Sequence, residues 1–269
     1  MVWLVVLGVL TATVASCSGA GSGTATPNGS RSSFTTAAQL GTALAEAVRR
    51  QGSFTAHVSD ESIPPNGSPK ETTTKDLQVE VRGESQNYVV EATARDADGA
   101  LTMWSMLIAV DGRYYRQILS RGGKQWLQLS TENDARGESL VGPEVGYAPW
   151  VERFAALGSA VSLQPGPTTV LAGVTMREYR LTLGPEAVAR QYRDWKDKPD
   201  SRPAMLQCYQ DATAEATVLV GDDGLPRRLV VKVTRPAPTG TSIVTTDFTA
   251  WRTTPAVTAP PSDQVEAAA

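Results

Sequence analysis

The chain has 269 residues, 41% of them hydrophobic and 20% charged, with a formal net charge of −3. That length and apolar content are enough for a sizeable core. The slight negative charge and the scattered Lys and Arg residues leave nucleic-acid binding without an electrostatic basis.

Residues 2–15 are almost wholly apolar, and the run closes in Val14-Ala15-Ser16-Cys17. It is shorter than the ~20 residues a membrane-spanning helix needs and has the length of a signal-peptide core. Small residues directly before a cysteine resemble the lipobox of bacterial lipoproteins, in which the cysteine, here Cys17, is acylated and becomes the first residue. No Lys or Arg precedes the run, the first basic residue being Arg31; an ordinary secretory signal with an incidental cysteine is the alternative. Residues 18–33 are Ser-, Gly-, Thr- and Ala-rich with Pro27 and no apolar period, which predicts a flexible tether with a typical reach of about 20 Å. The only other cysteine is Cys208. It has no partner if Cys17 carries lipid, and a flexible tether is a poor place to hold disulfide geometry. The chain therefore divides into a leader and lipobox (1–17), a tether (18–34), a folded domain (35–254) and a C-terminal tail (255–269).

The domain opens with a helix capped by Thr35 or Thr36, carrying Leu40, Leu44 and Val48 as one apolar stripe and stopping near Gly52. Residues 53–59 alternate as a strand, and 63–70, with Pro64, Pro65, Asn66 and Gly67, read as a loop. Strands follow at 76–82, 88–95, 101–110, 113–119 and 125–129, separated by Gly- and Asp-containing turns at roughly ten-residue intervals. That rhythm predicts an antiparallel meander, not a parallel βαβ sheet. Within it the 101–110 run is nearly continuous in apolar residues, as for a strand buried on both sides.

After a polar break at 130–142, Trp150, Val151, Phe154 and Leu157 stand at helical spacing. A short strand near 169–171 and a longer one at 175–183 precede a helix that starts at Pro185, where the missing N–H costs nothing, and extends to Trp195. A charged, Pro-containing loop fills 196–203. Residues 213–235 are the clearest element, two alternating runs around Gly221-Asp222-Asp223-Gly224. Ala214, Ala216, Val218 and Val220 share one side, as do Leu229, Val231 and Val233, while Arg228, Lys232 and Thr234 take the other; this is a hairpin in a sheet with one wet face. A last strand occupies 242–251, after which the chain is expected to leave the domain.

Catalytic signatures do not stand out. His57 is the only histidine and falls on the polar side of a strand expected at a sheet edge. No Gly-x-Ser-x-Gly, His-Glu-x-x-His or Cys-x-x-Cys occurs. Asp96 with Asp98 and Asp222 with Asp223 read as turn formers and not as Ca²⁺ ligands, because no downstream Glu stands at loop spacing. Trp104, Trp126, Trp150, Trp195 and Trp251 read as core or rim aromatics. The expected protein is therefore not an enzyme and uses no cofactor or metal.

Three segments, Val110-Asp111-Gly112-Arg113-Tyr114-Tyr115, Gly221-Asp222-Asp223-Gly224-Leu225-Pro226-Arg227, and Asp247-Phe248-Thr249-Ala250-Trp251 with the following Val257-Thr258-Ala259-Pro260-Pro261, stand in order behind the lipobox. Together they resemble the actinobacterial LppX/LprG lipoprotein family and, more distantly, LolA and its relatives, over about residues 36–265. The resemblance implies an α+β fold: a strongly curved antiparallel β-sheet, or half-barrel, with helices covering the concave face over an apolar cavity. It also implies binding or carriage of a lipid, glycolipid or lipidated molecule outside the cytoplasmic membrane, with a membrane transporter as a possible partner. On that reading the candidate cavity wall is Val79, Val81, Val90, Leu107, Ile108, Tyr179, Leu181, Val218, Leu229, Val231 and Phe248, with Leu44, Val48, Phe154 and Leu157 from the covering helices. Met103, Met106 and Met176 would add an adaptable wall, although ordinary core serves as well. A non-catalytic module that binds a protein or peptide, with its core filled, is the alternative.

Overall fold

Helix α1 (Ala37–Gln51) forms because Leu40, Leu44 and Val48 recur on one side between two well-made caps. The structure, a computed structural model, describes residues 34–64, 71–82, 85–121, 124–130, 161–171, 173–188, 211–236, 240–253 and 255–267. Thr36 Oγ1 accepts from the Gln39 amide at 3.2 Å, and Gln39 Oε1 accepts in return from the Thr35 amide at 3.0 Å. At the other end Gly52 takes a left-handed φ of 76°, and its amide donates to the Val48 carbonyl. Thr36→Ala removes the side-chain cap and is expected to cost about 1 kcal/mol, read as a lower urea midpoint with an unchanged slope.

Twelve strands follow: β1 (Ser53–Ile63), β2 (Glu71–Arg82), β3 (Ser85–Arg95), β4 (Leu101–Val110), β5 (Arg113–Arg121), β6 (Lys124–Leu129), β7 (Val161–Leu171), β8 (Val174–Leu183), β9 (Thr213–Gly221), β10 (Pro226–Thr234), β11 (Thr241–Trp251) and β12 (Val265–Ala267). They make one open sheet in the order β12-β6-β5-β4-β3-β2-β1-β11-β10-β9-β8-β7. All neighbours are antiparallel except β12 on β6. The fold is thus strongly sheet-rich α+β. Turn chemistry closes the hairpins. Asp111 and Gly112, at φ of 48° and 74°, are the two residues between the paired Val110 and Arg113, as a tight hairpin of matching twist requires. In the β9–β10 turn Asp223 Oδ1 accepts from the Leu225 amide and the carboxylate pairs with Arg227. In the β3–β4 turn Asp96 Oδ1 accepts from the amides of Asp98 and Ala100.

Three expectations are corrected. β1 is not an edge strand; it lies between β2 and β11 in the middle of the sheet, because its partner β11 returns from the far end of the sequence. β7 is longer than the expected 169–171, running from Val161 through Pro165 and Pro167. It occupies the sheet edge, where a residue without an N–H is tolerated, and its pairing with β8 shifts register between Pro165 and Thr168. The chain does not leave the domain after Trp251: a short 3-10 turn at Ser262–Gln264 leads into β12, which pairs with β6. Among the described residues only α1 and the start of the helix expected from Pro185, at 185–188, are α-helical. The expected helix at 149–157 and the rest of the 185–195 helix lie outside them, as do the 131–142 break, the 196–203 loop, the tether and both cysteines.

Candidate ligand site on the apolar side of the sheet

Period-two alternation sorts the strand residues onto two sides. The inner side, which packs against α1, is one continuous apolar cluster to which every strand but β5 and β12 contributes buried residues, with the half-buried Tyr114 of β5 packed against it. Leu40, Leu44 and Val48 of α1 join Phe54 and Val58 of β1, Val79 of β2, Val90 of β3, Leu107 of β4, Tyr179 and Leu181 of β8, Val218 of β9, Leu229 and Val231 of β10 and Phe248 of β11. Phe54, Phe248 and Trp251 form an aromatic knot, with ring centroids 5.3–5.6 Å apart. Phe34, just before α1, tilts onto Tyr179 with centroids 5.4 Å apart. The backbone of α1 lies near β1 and β2 and near the distant edge strand β7.

The structure brings together most of the residues named from the sequence for the cavity wall. Val79, Val90, Leu107, Tyr179, Leu181, Val218, Leu229, Val231, Phe248, Leu44 and Val48 are buried in the inner cluster, each 8% exposed or less. Val81 is half-buried at its margin. Ile108 is placed on the opposite side and belongs to a second cluster with Val110, Tyr115, Trp126 and Val257. The reason is elementary: Leu107 and Ile108 are consecutive in β4, so they cannot face the same way. Phe154 and Leu157 lie outside the described residues. Of the methionines, Met176 is buried, Met106 packs against the second cluster and Met103 is 47% exposed.

Sequence reading passed over two polar residues on the inner side. Lys75 is 4% exposed and Ser105 is 9% exposed. Lys75 shares its side of β2 with Leu77 and Val79, and Ser105 shares its side of β4 with Leu107 and Ala109. The parity of β2 carries the signal for Lys75, but a strand expected from Asp76 starts one residue too late to include it.

The outer side is polar over β8 to β11. Arg228 is held there by Asp247 at 2.5 Å and 3.1 Å, and the hydrogen bond to that carboxylate raises the guanidinium pKa; burial opposes this, and the carboxylate charge adds a lesser raising effect. Both side chains are more than a third exposed, so such a pair contributes at most about 1 kcal/mol. His57 Nδ1 lies 2.8 Å from Asp76 Oδ1, with the histidine side chain 46% exposed. These two line an open outer-side groove of about 290 Å³ with Thr55, Gln78, Glu91 and Thr249. Over β3 to β6 the outer side turns apolar and is crossed by the C-terminal segment: Gln78 Nε2 donates to the Pro255 carbonyl at 2.6 Å, Val257 is 3% exposed, and Val265 packs on the same cluster. Trp126 is buried in that cluster, Trp251 belongs to the inner knot and the 43%-exposed Trp104 donates through Nε1 to Glu91.

Among solved structures the chain is similar to LprF from Mycobacterium bovis, at 12% identity and a TM-score of 0.46, covering 83% of this chain and 96% of that one. It is similar to the lipoprotein LppX from Mycobacterium tuberculosis, at 12% identity and a TM-score of 0.45, covering 82% and 98% of the two chains. A LolA superfamily protein from Nitrosomonas europaea is also similar, at 10% identity and a TM-score of 0.31, over 86% and 97%. No protein-family model and no curated protein matches the chain.

Proposed function

We propose that this protein is a non-catalytic extracytoplasmic lipoprotein, tethered to the membrane through acylated Cys17, that holds a lipid or lipidated ligand between the apolar side of its sheet and the elements that cover it. The observation that carries the reading is the extent of that apolar side, which continues from β6 to β7 as one cluster. A 15-residue helix is about 22 Å long, whereas β2 and β7, six strand spacings apart in the sheet order, would lie about 29 Å apart if flat. That α1 approaches both supports a sheet bent around the helix. A hollow of that kind would be lined mostly by apolar side chains, which suits an acyl chain. The domain, residues 35–254 with the returning tail, would hang from a tether of residues 18–34 after removal of the leader.

Mass spectrometry of lipids extracted from natively purified protein tests this. Acyl lipid is expected at close to stoichiometric amount; protein that carries none, and takes up none from vesicles, removes the carrier role. Cys17→Ser is expected to move the protein from the detergent-extracted membrane fraction into the soluble extracytoplasmic fraction, followed by immunoblot of the two fractions. The second reading, a protein- or peptide-binding module with a filled core, is favoured by one observation: Val79, Val90 and Leu107 are each 0% exposed, as in packed interior. The lipid extraction separates the two readings.

A further inference from the structure

We infer that the first half of β4 is a docking edge for an extended segment of another polypeptide, which adds to the sheet as a strand where β4 and β5 part. The inference does not depend on the lipid reading above. It rests on a place where the ladder stops while both strands go on. Leu107 to Val110 of β4 pair with Arg113 to Arg116 of β5, and no pair joins the two strands beyond Leu107 and Arg116. β4 nevertheless reaches back to Leu101 and β5 forward to Arg121. The cause is local to β5. Gln117 pairs with Trp126 and Arg121 with Lys124 on β6, so residues 118–120 stand against Gln125 alone. Extra residues of that kind bend and twist a strand, and the β4 ladder ends just where they begin.

On its other side β4 stays paired. Leu101 and Met103–Met106 stand opposite residues of β3, with Thr102 as an extra residue whose hydroxyl donates to the Ala94 carbonyl at 3.1 Å. Met103–Met106 is therefore regular strand with one edge occupied. The backbone N–H and C=O groups along its other edge have no backbone partner among the described residues. Apolar side chains stand beside them. Six large apolar side chains are exposed among the described residues, and Leu101, Met103 and Trp104, at 55%, 47% and 43%, are three of these. Sheet edges are ordinarily blunted by proline, charge or brevity. β7 carries Pro165 and Pro167, and β12 is three residues long. The 101–106 stretch has neither proline nor charge, and the bulge at Thr102 guards only one end of it.

These two properties select the occupant. A row of amide donors and carbonyl acceptors is matched by an extended polypeptide backbone and by no acyl chain. Met103 and Trp104, consecutive in β4, face opposite sides of the sheet, so the added strand would carry uncharged, β-favouring residues on both of its faces. A second copy of this chain does not fit. In each copy β5 runs on to Arg121 beside its own β4, so pairing two such edges would drive the two β5 strands together. A lone strand needs only about 4.8 Å on either side.

Amide hydrogen exchange and a designed probe test this on the full-length protein. In the free protein the amides of Met103–Met106 that point away from β3 are expected to exchange about tenfold or more faster than those of Leu107–Val110. The probe is a capped heptapeptide alternating valine and threonine, titrated by calorimetry. It is expected to bind and to slow exchange at Met103–Met106. An analogue N-methylated at every residue keeps the side chains but donates along neither edge, and is expected to bind about tenfold or more weakly. Trp104→Lys places a guarding charge on an exposed position and is expected to weaken the unmethylated peptide to a similar degree. Met103→Lys does the same from the other side of the sheet, so the result does not hang on one variant folding. Amides at Met103–Met106 that are already protected in the free protein overturn the inference, because the edge is then covered by the chain itself. Equal binding of the methylated peptide, or binding of neither, overturns it too. A dimer that forms with concentration and that Trp104→Lys dissociates overturns it in favour of a second copy.

Discussion

Phe54→Ala is expected to destabilise the domain by about 3–5 kcal/mol, the range for emptying a fully buried aromatic site. Phe54 is 1% exposed and sits two residues after Gly52, where α1 hands the chain to β1. Its ring meets Phe248 edge-on and Trp251 at a tilt, so the truncation removes two aromatic contacts as well as the transfer free energy of the ring. The neighbours have little freedom to collapse. Gly52 accepts a 2.7 Å hydrogen bond from the Val81 amide, and Ser53 accepts one from the Arg252 amide, which pins the backbone from two sides. Since single domains are stable by roughly 5–15 kcal/mol in total, this one change is expected to remove a large share, seen as a shift in the guanidinium midpoint. A loss below about 1 kcal/mol would show that the inner side is loosely packed at the helix–strand joint.

Ending the chain at Arg252 is expected to cost about 2–4 kcal/mol and to make the protein bind hydrophobic dyes. The removed segment supplies Val257, which is worth about 1.5–3 kcal/mol by burial alone, together with Val265 on the same patch. It also supplies the carbonyl of Pro255 that satisfies Gln78 and the parallel ladder of β12 on β6. Its loss uncovers Ile108, Val110, Tyr115 and Trp126 together, a contiguous apolar area of the kind monomers seldom expose, and frees the edge of β6. Chemical denaturation and dye fluorescence on the truncated protein check both halves of the expectation. Unchanged stability with no dye binding would mean that the segment merely rests on the sheet. Because the patch lies opposite the proposed ligand site, lipid binding is expected to survive the truncation wherever the shortened chain still folds.

Much of the local architecture was legible because local physics decides it. Thr36 and Gly52 bound α1 by capping, and the Asp-Gly turns at 111–112 and 222–224 close hairpins by backbone angle. The alternation of 214–220 and 229–233 sorted residues to the correct sides in every case. Reading failed where a rule permits more than one outcome. Proline normally argues against a strand, and only the edge position of β7 makes Pro165 and Pro167 acceptable. In β4 the residues from Leu107 to Val110 are all apolar and all buried, so composition gave no hint which of Leu107 and Ile108 faces α1.

The strand rhythm, the helix caps and the pairing of faces within each hairpin are written in the sequence, since each depends on residues a few positions apart. Tertiary structure alone decided that β1 sits between β2 and β11, that the last residues return to cover an outer apolar patch, and that Lys75 and Ser105 each stand opposite Ala92. These are contacts between positions tens to nearly two hundred residues apart in the chain. A period of two shows which residues travel together, but only the assembled sheet shows which neighbours they meet and which side is closed to water.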